Sequence, residues 1–525
     1  MSSTQPKPAP RGWARFLLPS VTDLLFLALL FSLASPFAVR LLNDGDIGWH
    51  IRNGELMLQT HSITRADPFS STMAGKPWCA WEWLYDLLSA GLYHAAALNG
   101  VVFFTALLIA LTLALAFRLM VSRGTYLPLA VVLLLLAAGA SAIHWLTRPH
   151  VVSWLLIAVW FHLLDSWEAA ASPARLGKLL WLPLLMLLWV NLHAGFVTGF
   201  ALLAIYLLSE CIERFARQHR AGAGKRLKPL AAISGLSLLA SLANPFGYKL
   251  HVHVYQYLTD RWLMDHIDEF RSPNFHGAAE QCFALLLLIT IGALALSRER
   301  PRISHLLVIL FAVSSGLYAS RSLPISAILL VLVVGPILSR AVAAAAAGHS
   351  LSAGLERHTL RWESFSARMG SIELALRGHL WPLLATLLLA AAALAGGRLG
   401  SWQIMDAHFD PNRFPVEAVD WLAQSGNQQP IFCPDFWSGY VIFRLHPETK
   451  VVLDDRHDLY GEEFFKSYLK AVRAEAGWNE ALQQNDVRLV LMPSDSPLAS
   501  VLRESPGWKT AYRDGVAIIF KRGQI

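Results

Sequence analysis

Long apolar blocks separated by shorter polar stretches run through the first three quarters of the chain. Eleven of them fall near residues 20–42, 100–117, 125–143, 150–165, 179–193, 195–211, 229–245, 281–297, 303–319, 323–340 and 379–397. Many approach the ~20 residues that a helix needs to cross a bilayer. The polar stretches are of two kinds. One kind is basic and otherwise bland: Lys7, Arg11 and Arg15, then Arg118/Arg123, Arg175/Lys178, Arg214 to Lys228, Arg298/Arg300/Arg302 and Arg340 to Arg377. The other is rich in acids, His, Trp, Asn and Pro, and includes two large loops, 43–100 and 244–280.

Threading the blocks alternately puts all the basic stretches on one side. That side holds 21 Lys and Arg, against 9 on the other before residue 398. Basic loops stay in the cytoplasm. The expected layout is therefore a cytoplasmic N-terminus (1–19), a transmembrane domain (20–398) and an extracytoplasmic tail (399–525), in the plasma (inner) membrane. No small-residue cleavage site follows the first block cleanly, so it reads as an uncleaved anchor. Within the first outer loop, Trp81 to Leu98 predicts a helix lying at the membrane interface, anchored by Trp81, Trp83 and Tyr85.

The tail has the charge density of a soluble domain. Short β-like runs (Pro430–Cys433, Lys450–Leu453, Arg488–Met492, Val516–Lys521) alternate with helix-like stretches (Pro415–Gln424, Glu462–Ala476). This is an α/β pattern, in a segment large enough for its own core. The predicted fold class is thus an all-α polytopic membrane domain of about eleven helices with a C-terminal α/β soluble domain.

Composition agrees with this picture. The chain is 55% hydrophobic and 15% charged, where a soluble protein carries about 25% charged residues. The net charge of +7 comes from scattered basic clusters, not from one patch, so no nucleic-acid partner is expected. The four cysteines show no paired spacing for zinc or a disulfide framework. Gly-rich phosphate loops, a Ser-His-Asp motif and the internal repeats of transporters are absent.

The densest chemistry is Asn43-Asp44-Gly45-Asp46-Ile47-Gly48-Trp49-His50, directly after the first block. Two carboxylates one residue apart can converge on a divalent cation, Mg or Mn. Alternatively one acts as a general base while the other positions it. A bare Asp-Gly-Asp more often only begins a solvated loop. Here His50, Arg52, Glu55, Asp67 and Glu82 follow among Trp and Pro, which favours a site. Gly45 and Gly48 read as sharp backbone turns.

Arg148 and His150 flank Pro149 at a block junction. They read equally as a phosphate contact, which guanidinium suits, and as snorkelling at headgroups. Asn191 and His193 lie at the tip between two close blocks, where a cap or hinge is the blander reading. Arg321 stands near the hydrocarbon edge, where ionisable groups are costly and often functional. Glu269 belongs to an acid-rich stretch, Asp265 to Arg271, that also reads as a solvated segment. In the tail, Asp435 to Tyr440 and Asp454 to Asp458 follow predicted strands, a common place for ligands. Ion-paired packing on the membrane domain explains them as well.

These residues carry a resemblance. Asp44 and Asp46 occupy the place of the acidic first-loop motif in the GT-C class of membrane glycosyltransferases. Gly54-Glu55, Asp67-Pro68-Phe69-Ser70, Lys76-Pro77-Trp78 and Trp81-Glu82-Trp83-Leu84 resemble the same loop of bacterial lipid-linked-sugar transferases. Trp437-Ser438-Gly439-Tyr440 is similar to the Trp-Trp-Asp-Tyr-Gly signature of oligosaccharyltransferases, with its acid placed before the aromatics. The resemblance to this polyprenyl-phosphate-sugar-dependent class, including its uncharacterised bacterial relatives of mannosyltransferase and oligosaccharyltransferase type, covers the topology throughout and specific motifs in the first loop only. It implies a polyprenyl-phosphate-linked sugar donor and transfer at the outer face to a lipid, glycan or protein acceptor. Asp44 would be general base or acceptor-positioning group, and Asp46 would assist through a possible metal. Arg148 and Arg321 would hold the phosphate, with His50 and Glu82 orienting groups, and His150, Asn191, His193 and Glu269 would complete the substrate site. Two rival readings are a transporter or flippase of lipid-linked saccharide, which wants ionisable groups at mid-membrane, and a non-catalytic assembly protein.

Overall fold

A computed structural model describes residues 12–170, 176–216, 226–347 and 353–523. Lys7, Arg11, Arg175, Arg217, Arg220 and Lys225, used above for orientation, lie outside the described residues. The first span, α1 (Val21–Ala34), begins at a capping box. Ser20 accepts the Asp23 amide and the Asp23 carboxylate accepts the Ser20 amide, so two orphan donors of the helix start are paired reciprocally. The acidic motif leads into α2 (Ile47–Thr60). Next comes α3 (Trp83–Ser122), which leaves helical geometry at Ala96 and Ala97. The remaining membrane helices are α4 (Leu127–Ser141), α5 (His150–Glu168), α6 (Trp181–Leu192), α7 (Phe196–Ala216), α8 (Leu227–Ser241), α9 (Tyr248–Thr259), α10 (Ala278–Leu296), α11 (Ile303–Tyr318), α12 (Leu323–Ala347), α13 (Ala353–Ala375) and α14 (Leu380–Leu394).

Among the described residues, seven helices are long and apolar enough to cross a bilayer, those containing α1, α3, α4, α5, α7, α10 and α12. The pair Arg361–Ala375 and Leu380–Leu394, bent by 58°, makes an eighth when taken as one. Three shorter apolar helices, α6, α8 and α11, complete the set. Each of the eleven predicted blocks coincides with a helix of this group. The chain is an integral membrane protein. The interfacial helix expected over Trp81 to Leu98 is instead the first limb of α3, and its aromatics face protein. Tyr85 is buried, Trp83 donates its indole N–H to Asn191 at 2.8 Å, and Trp81 packs on His253 and Tyr257. Burial inside protein overrides an anchoring role.

The tail holds a four-stranded sheet of β1 (Ile431–Phe432), β2 (Leu489–Pro493), β3 (Trp508–Arg513) and β4 (Ala517–Arg522), in the order β1-β2-β4-β3. The β1-β2 pair is parallel and the other two are antiparallel. The predicted strand Lys450–Leu453 is reduced to single bridges at Val451, one to Ile431 and one to Ser70 of the first loop. Helices α15 (Val416–Gln424), α16 (Asp435–Leu445) and α17 (Glu462–Val472) pack around the sheet. One apolar cluster belongs to the tail and includes Met73 of the first loop. A second runs without interruption from the spans to Phe414, Trp437 and Tyr440 of the tail. The tail is therefore welded to the membrane domain.

Three glycines make the weld. A Cβ on Gly48 would stand 2.2 Å from the Gly439 carbonyl oxygen. One on Gly439 would stand 2.4 Å from the Gly45 oxygen, and one on Gly54 2.1 Å from the Asp86 oxygen. So α2 is clasped between α16 and the start of α3 with backbones in contact. Gly45 and Gly48 serve this approach; Gly45 also lies in the bend expected from the sequence, whereas Gly48 is already helical. Arg52 fastens the same joint by donating its Nε–H to the Phe443 carbonyl at 2.8 Å. Because an added methyl has nowhere to go, Gly48→Ala should destabilise the protein by about 2 kcal/mol, in the usual range for overpacking. A thermal unfolding midpoint in detergent equal to wild type would show that the joint tolerates a side chain.

Candidate functional site

The first loop, the second loop, the turn before α5 and the tail meet over one end of the bundle. They enclose a cavity of about 310 Å³, within the range of small-molecule sites. Of the residues singled out in the sequence, Asp46, His50, Glu82, Arg148, His150, His193, Glu269 and Arg321 line it together. Asp44 stands behind Asp46. Asn191 lies off the cavity, where it accepts the Trp83 indole and donates to the Leu187 and Ala243 carbonyls. It is a brace between helices.

Arg148 is the centre. Thr147 binds the Leu41 carbonyl through both its amide (2.8 Å) and its hydroxyl (2.9 Å), which pins the turn to the end of the first span. The guanidinium then reaches Asp44 (2.7 Å), Asp46, Glu269 (3.5 Å) and Asp455 (3.8 Å). Asp44 uses its other oxygen to accept the Asp46 amide at 2.9 Å. Glu269 also takes Arg321 at 2.7 Å. The acids differ in basicity. Burial raises Asp455 to about 7 against the pull of Arg148, and burial likewise raises Asp44. Burial also works to raise Glu269, but Arg321 and Arg148 overcome it and hold this acid at about 2.

A second group faces Arg148 across the cavity. His50 Nδ1 meets Asp86 at 2.5 Å, and Asp86 accepts the Asn53 amide on its other oxygen at 2.6 Å. The far nitrogen of His50 lies 3.9 Å from Glu82. Burial raises Glu82 to about 7, with His50 opposing. His193 Nδ1 accepts the Gly195 amide at 3.0 Å, which puts its hydrogen on Nε2, 3.7 Å from Glu82. Burial first, and Arg321 next, keep this ring well below the usual histidine range, so it is a neutral donor. His150 Nε2 meets the His144 carbonyl at 2.8 Å.

Among the described residues, five that line the cavity each have a buried polar atom without a partner: Trp49 Nε1, Arg148 Nε, His193 Nε2, Asp455 Oδ1 and Arg456 Nη1. Buried polar groups are almost always satisfied, so the atoms mark where a bound molecule would be held. Val197, Val254, Leu258 and Ile325 add an apolar wall. Mg²⁺ or Mn²⁺ takes oxygen ligands from an open cage. Asp46 and its neighbours close on Arg148 instead, so this donor set does not fit a cation while the guanidinium stays. Among the described residues, three metal-type ligand atoms come within 4.8 Å of one another at Asp165, Glu168 and His305. Arg123 and Arg302 ion-pair with these acids.

The tail motifs divide. Asp455 and Asp458 line the cavity with Arg456. Arg456 itself is a buried clamp: it holds Asp454 and Asp67, each at 2.6 Å, and lies over Trp78 and Phe69. Asp67-Pro68-Phe69-Ser70 is the other half of that clamp, since Asp67 also accepts the Ser70 amide and hydroxyl. Asp435 pairs with His457 at 3.1 Å, and Trp437 to Tyr440 are buried in α16. The sequence reading missed Asp86 and left Asp455 unassigned. Asp86 carried a signal, as an acid in the apolar, aromatic stretch that opens α3.

In fold the chain is similar to ArnT from Cupriavidus metallidurans. In the apo state of ArnT the TM-score is 0.50 at 15% identity, over 95% of this chain and 97% of that one. For ArnT bound to undecaprenyl phosphate the TM-score is 0.49, with the same identity and coverage. The chain shares the overall fold of that protein. No family model matches it, and no curated protein matches it in sequence.

The raised carboxyls have a measurable consequence. Glu82 and Asp455 release their protons near 7 in the folded chain and near about 4 in the unfolded one. Between those values the folded state binds more protons, so these groups make stability fall as pH rises from about 4 to about 7. Asp455→Asn should narrow the gap between unfolding midpoints at pH 5 and pH 8. An unchanged gap would mean that Asp455 ionises like a solvated acid.

Proposed function

We propose that the protein transfers a sugar from a polyprenyl-phosphate donor to an acceptor at the outer face of the membrane. The observation that carries this is the unpartnered Arg148 Nε in a cavity that joins two guanidinium groups to an apolar wall. A lipid phosphate ester needs that combination, a cationic seat for the phosphate and hydrocarbon beside it. The fold shared with ArnT agrees with it.

Arg148 and Arg321 hold the donor phosphate in this reading. Negative charge grows on the phosphate oxygen as the glycosidic bond breaks, and fixed guanidinium groups stabilise that charge where it develops. Carboxyls that keep a proton near neutral pH, such as Asp455, leave part of the Arg148 charge uncancelled for the donor. Asp44 and Asp46 orient Arg148, and Asp46, at the cavity wall, positions the acceptor. His193 donates from Nε2. The lipid tail stays in hydrocarbon and enters between spans past Val197 and Ile325. The tail domain covers the cavity, and the acceptor is a lipid, a glycan or a protein. The distribution of basic loops supports an extracytoplasmic site. A metal at Asp46 would have to displace Arg148, so no step is assigned to one.

The test uses purified protein in nanodiscs with farnesyl-phosphate-linked hexoses, pentoses and amino sugars, scored for sugar release or transfer. Wild type should turn over at least one donor. Arg148→Gln should lower kcat/KM by about 100-fold or more, the scale seen when one transition-state donor is removed. A chelator should leave the rate unchanged, and a rate that collapses with chelator would restore the metal. Absence of turnover with every donor, in folded protein, would shift the reading to a flippase or an assembly protein.

A further inference from the structure

We infer that His50, aimed by Asp86 and Asn53, is the catalytic base that takes the proton from the attacking acceptor. The inference rests on the transferase reading and adds a role to the same cavity. Its basis is geometric. Asp86 is a hydrogen-bond acceptor at 2.5 Å from Nδ1, so the neutral ring carries its hydrogen there. The lone pair is then on Nε2, and His50 lines the cavity. Asp86 cannot swing, because Asn53 holds its second oxygen at 2.6 Å. The ring cannot turn either: it stacks on Trp49 at 3.7 Å and meets Tyr85 edge-on at 5.2 Å.

Of the other basic groups at the site, Asp455 keeps one free oxygen, Oδ1, with its other oxygen 3.8 Å from Arg148; the groups named next are engaged or of the wrong kind. Both oxygens of Asp44 are taken, by Arg148 and by the Asp46 amide. Asp46 and Glu269 are ion-paired with guanidinium. His193 presents an N–H, since its Nδ1 accepts the Gly195 amide. His150 Nε2 is bound to a carbonyl. Glu82, 3.9 Å from His50 Nε2, is placed to receive the proton afterwards.

The step balances within the site. The acceptor O–H bond breaks and its proton passes to His50 Nε2. The acceptor oxygen bonds to the anomeric carbon. The bond from that carbon to the phosphate oxygen breaks, and its electron pair leaves with the polyprenyl phosphate. Asp86 faces the imidazolium that results. Asp86 and Asn53 are positioning residues, acting through His50. The charged and titratable groups facing the ring are Asp86, Glu82, Tyr85, Asp455 and His193. Burial acts to lower the ring, but the acids, Asp86 foremost, outweigh it and raise its proton affinity above the ordinary histidine value.

The experiment uses the same nanodisc assay and donor probes. His50→Gln should lower kcat by about 100-fold or more, the lower end of general-base contributions, with KM for the donor little changed. Wild-type kcat should rise with pH through a midpoint above about 6.5. Asp86→Asn should move that midpoint down, a shift that a merely structural carboxylate would not cause. A histidine ¹⁵N spectrum of the wild type, with the His50 signals identified by their loss in His50→Gln, reads the tautomer directly. Hydrogen on Nδ1 of the neutral ring is expected. Hydrogen on Nε2 overturns the inference. Full kcat in His50→Gln overturns it and leaves the transferase reading standing. No turnover by wild type overturns both.

Discussion

The arrangement depends on backbone meeting backbone on two sides of one short helix. Helix α2 touches α16 through Gly48 and Gly439, and α3 through Gly54 at the Asp86 carbonyl. Any side chain at these points would push the elements apart by about 1 Å, enough to break hydrogen bonds across the joint. His50 would then lose Asp86, and the Asp44-Asp46 turn would lose its support from the tail. The polar chemistry is thus set by steric contact. The glycines let charged residues from distant parts of the chain come within reach of one another.

Two arginines show how differently a buried guanidinium can be used. Arg456 is surrounded: Asp67 and Asp454 neutralise it, and Trp78 and Phe69 cover it. Removing one partner from such a node leaves a charge stranded at a cost of about 3–5 kcal/mol, so it serves as a fastener between first loop and tail. Arg148 is over-supplied with carboxylates and still keeps a free Nε. Its acids do not all ionise together, because burial and mutual repulsion raise Asp44 and Asp455. Both nodes line the cavity and both keep an unpartnered nitrogen, Nη1 on Arg456 and Nε on Arg148; the aromatic cover over Arg456 distinguishes them.

How much of this was legible in the sequence follows from the range of each interaction. Bilayer thickness acts on every span separately, so the eleven blocks could be read without any knowledge of their neighbours. The outer-loop cluster was legible for a related reason: acids, His and Trp are rarely so dense beside an apolar block. Asp86 stood out only as an acid in an apolar, aromatic stretch, and that signal did not place it in the site. Its environment of Trp81, Trp83 and Tyr85 has the composition of an interfacial helix, and only the packing of α2 and α6 makes it interior. The role of Gly48 depends on Gly439, which is remote in sequence. Lys450–Leu453 had the composition of a strand, yet its neighbours supply single bridges at Val451 and no ladder. Trp437 to Tyr440 followed a strand as expected, but in α16, where those side chains are core.

The welding of the tail to the first loop also bears on the order in which the protein can be made. The cavity takes Asp46, His50 and Glu82 from near the beginning of the chain and Asp455, Arg456 and Asp458 from near its end. Synthesis inserts all the spans between them first. Until the last segment arrives, Asp67 has no Arg456 and the face of α2 at Gly48 has no α16. A ribosome that stops early therefore leaves a half-built chamber, with Asp67 unpaired and the α2 face that α16 covers left open. Such a product differs from the finished protein in ways that quality-control proteases read.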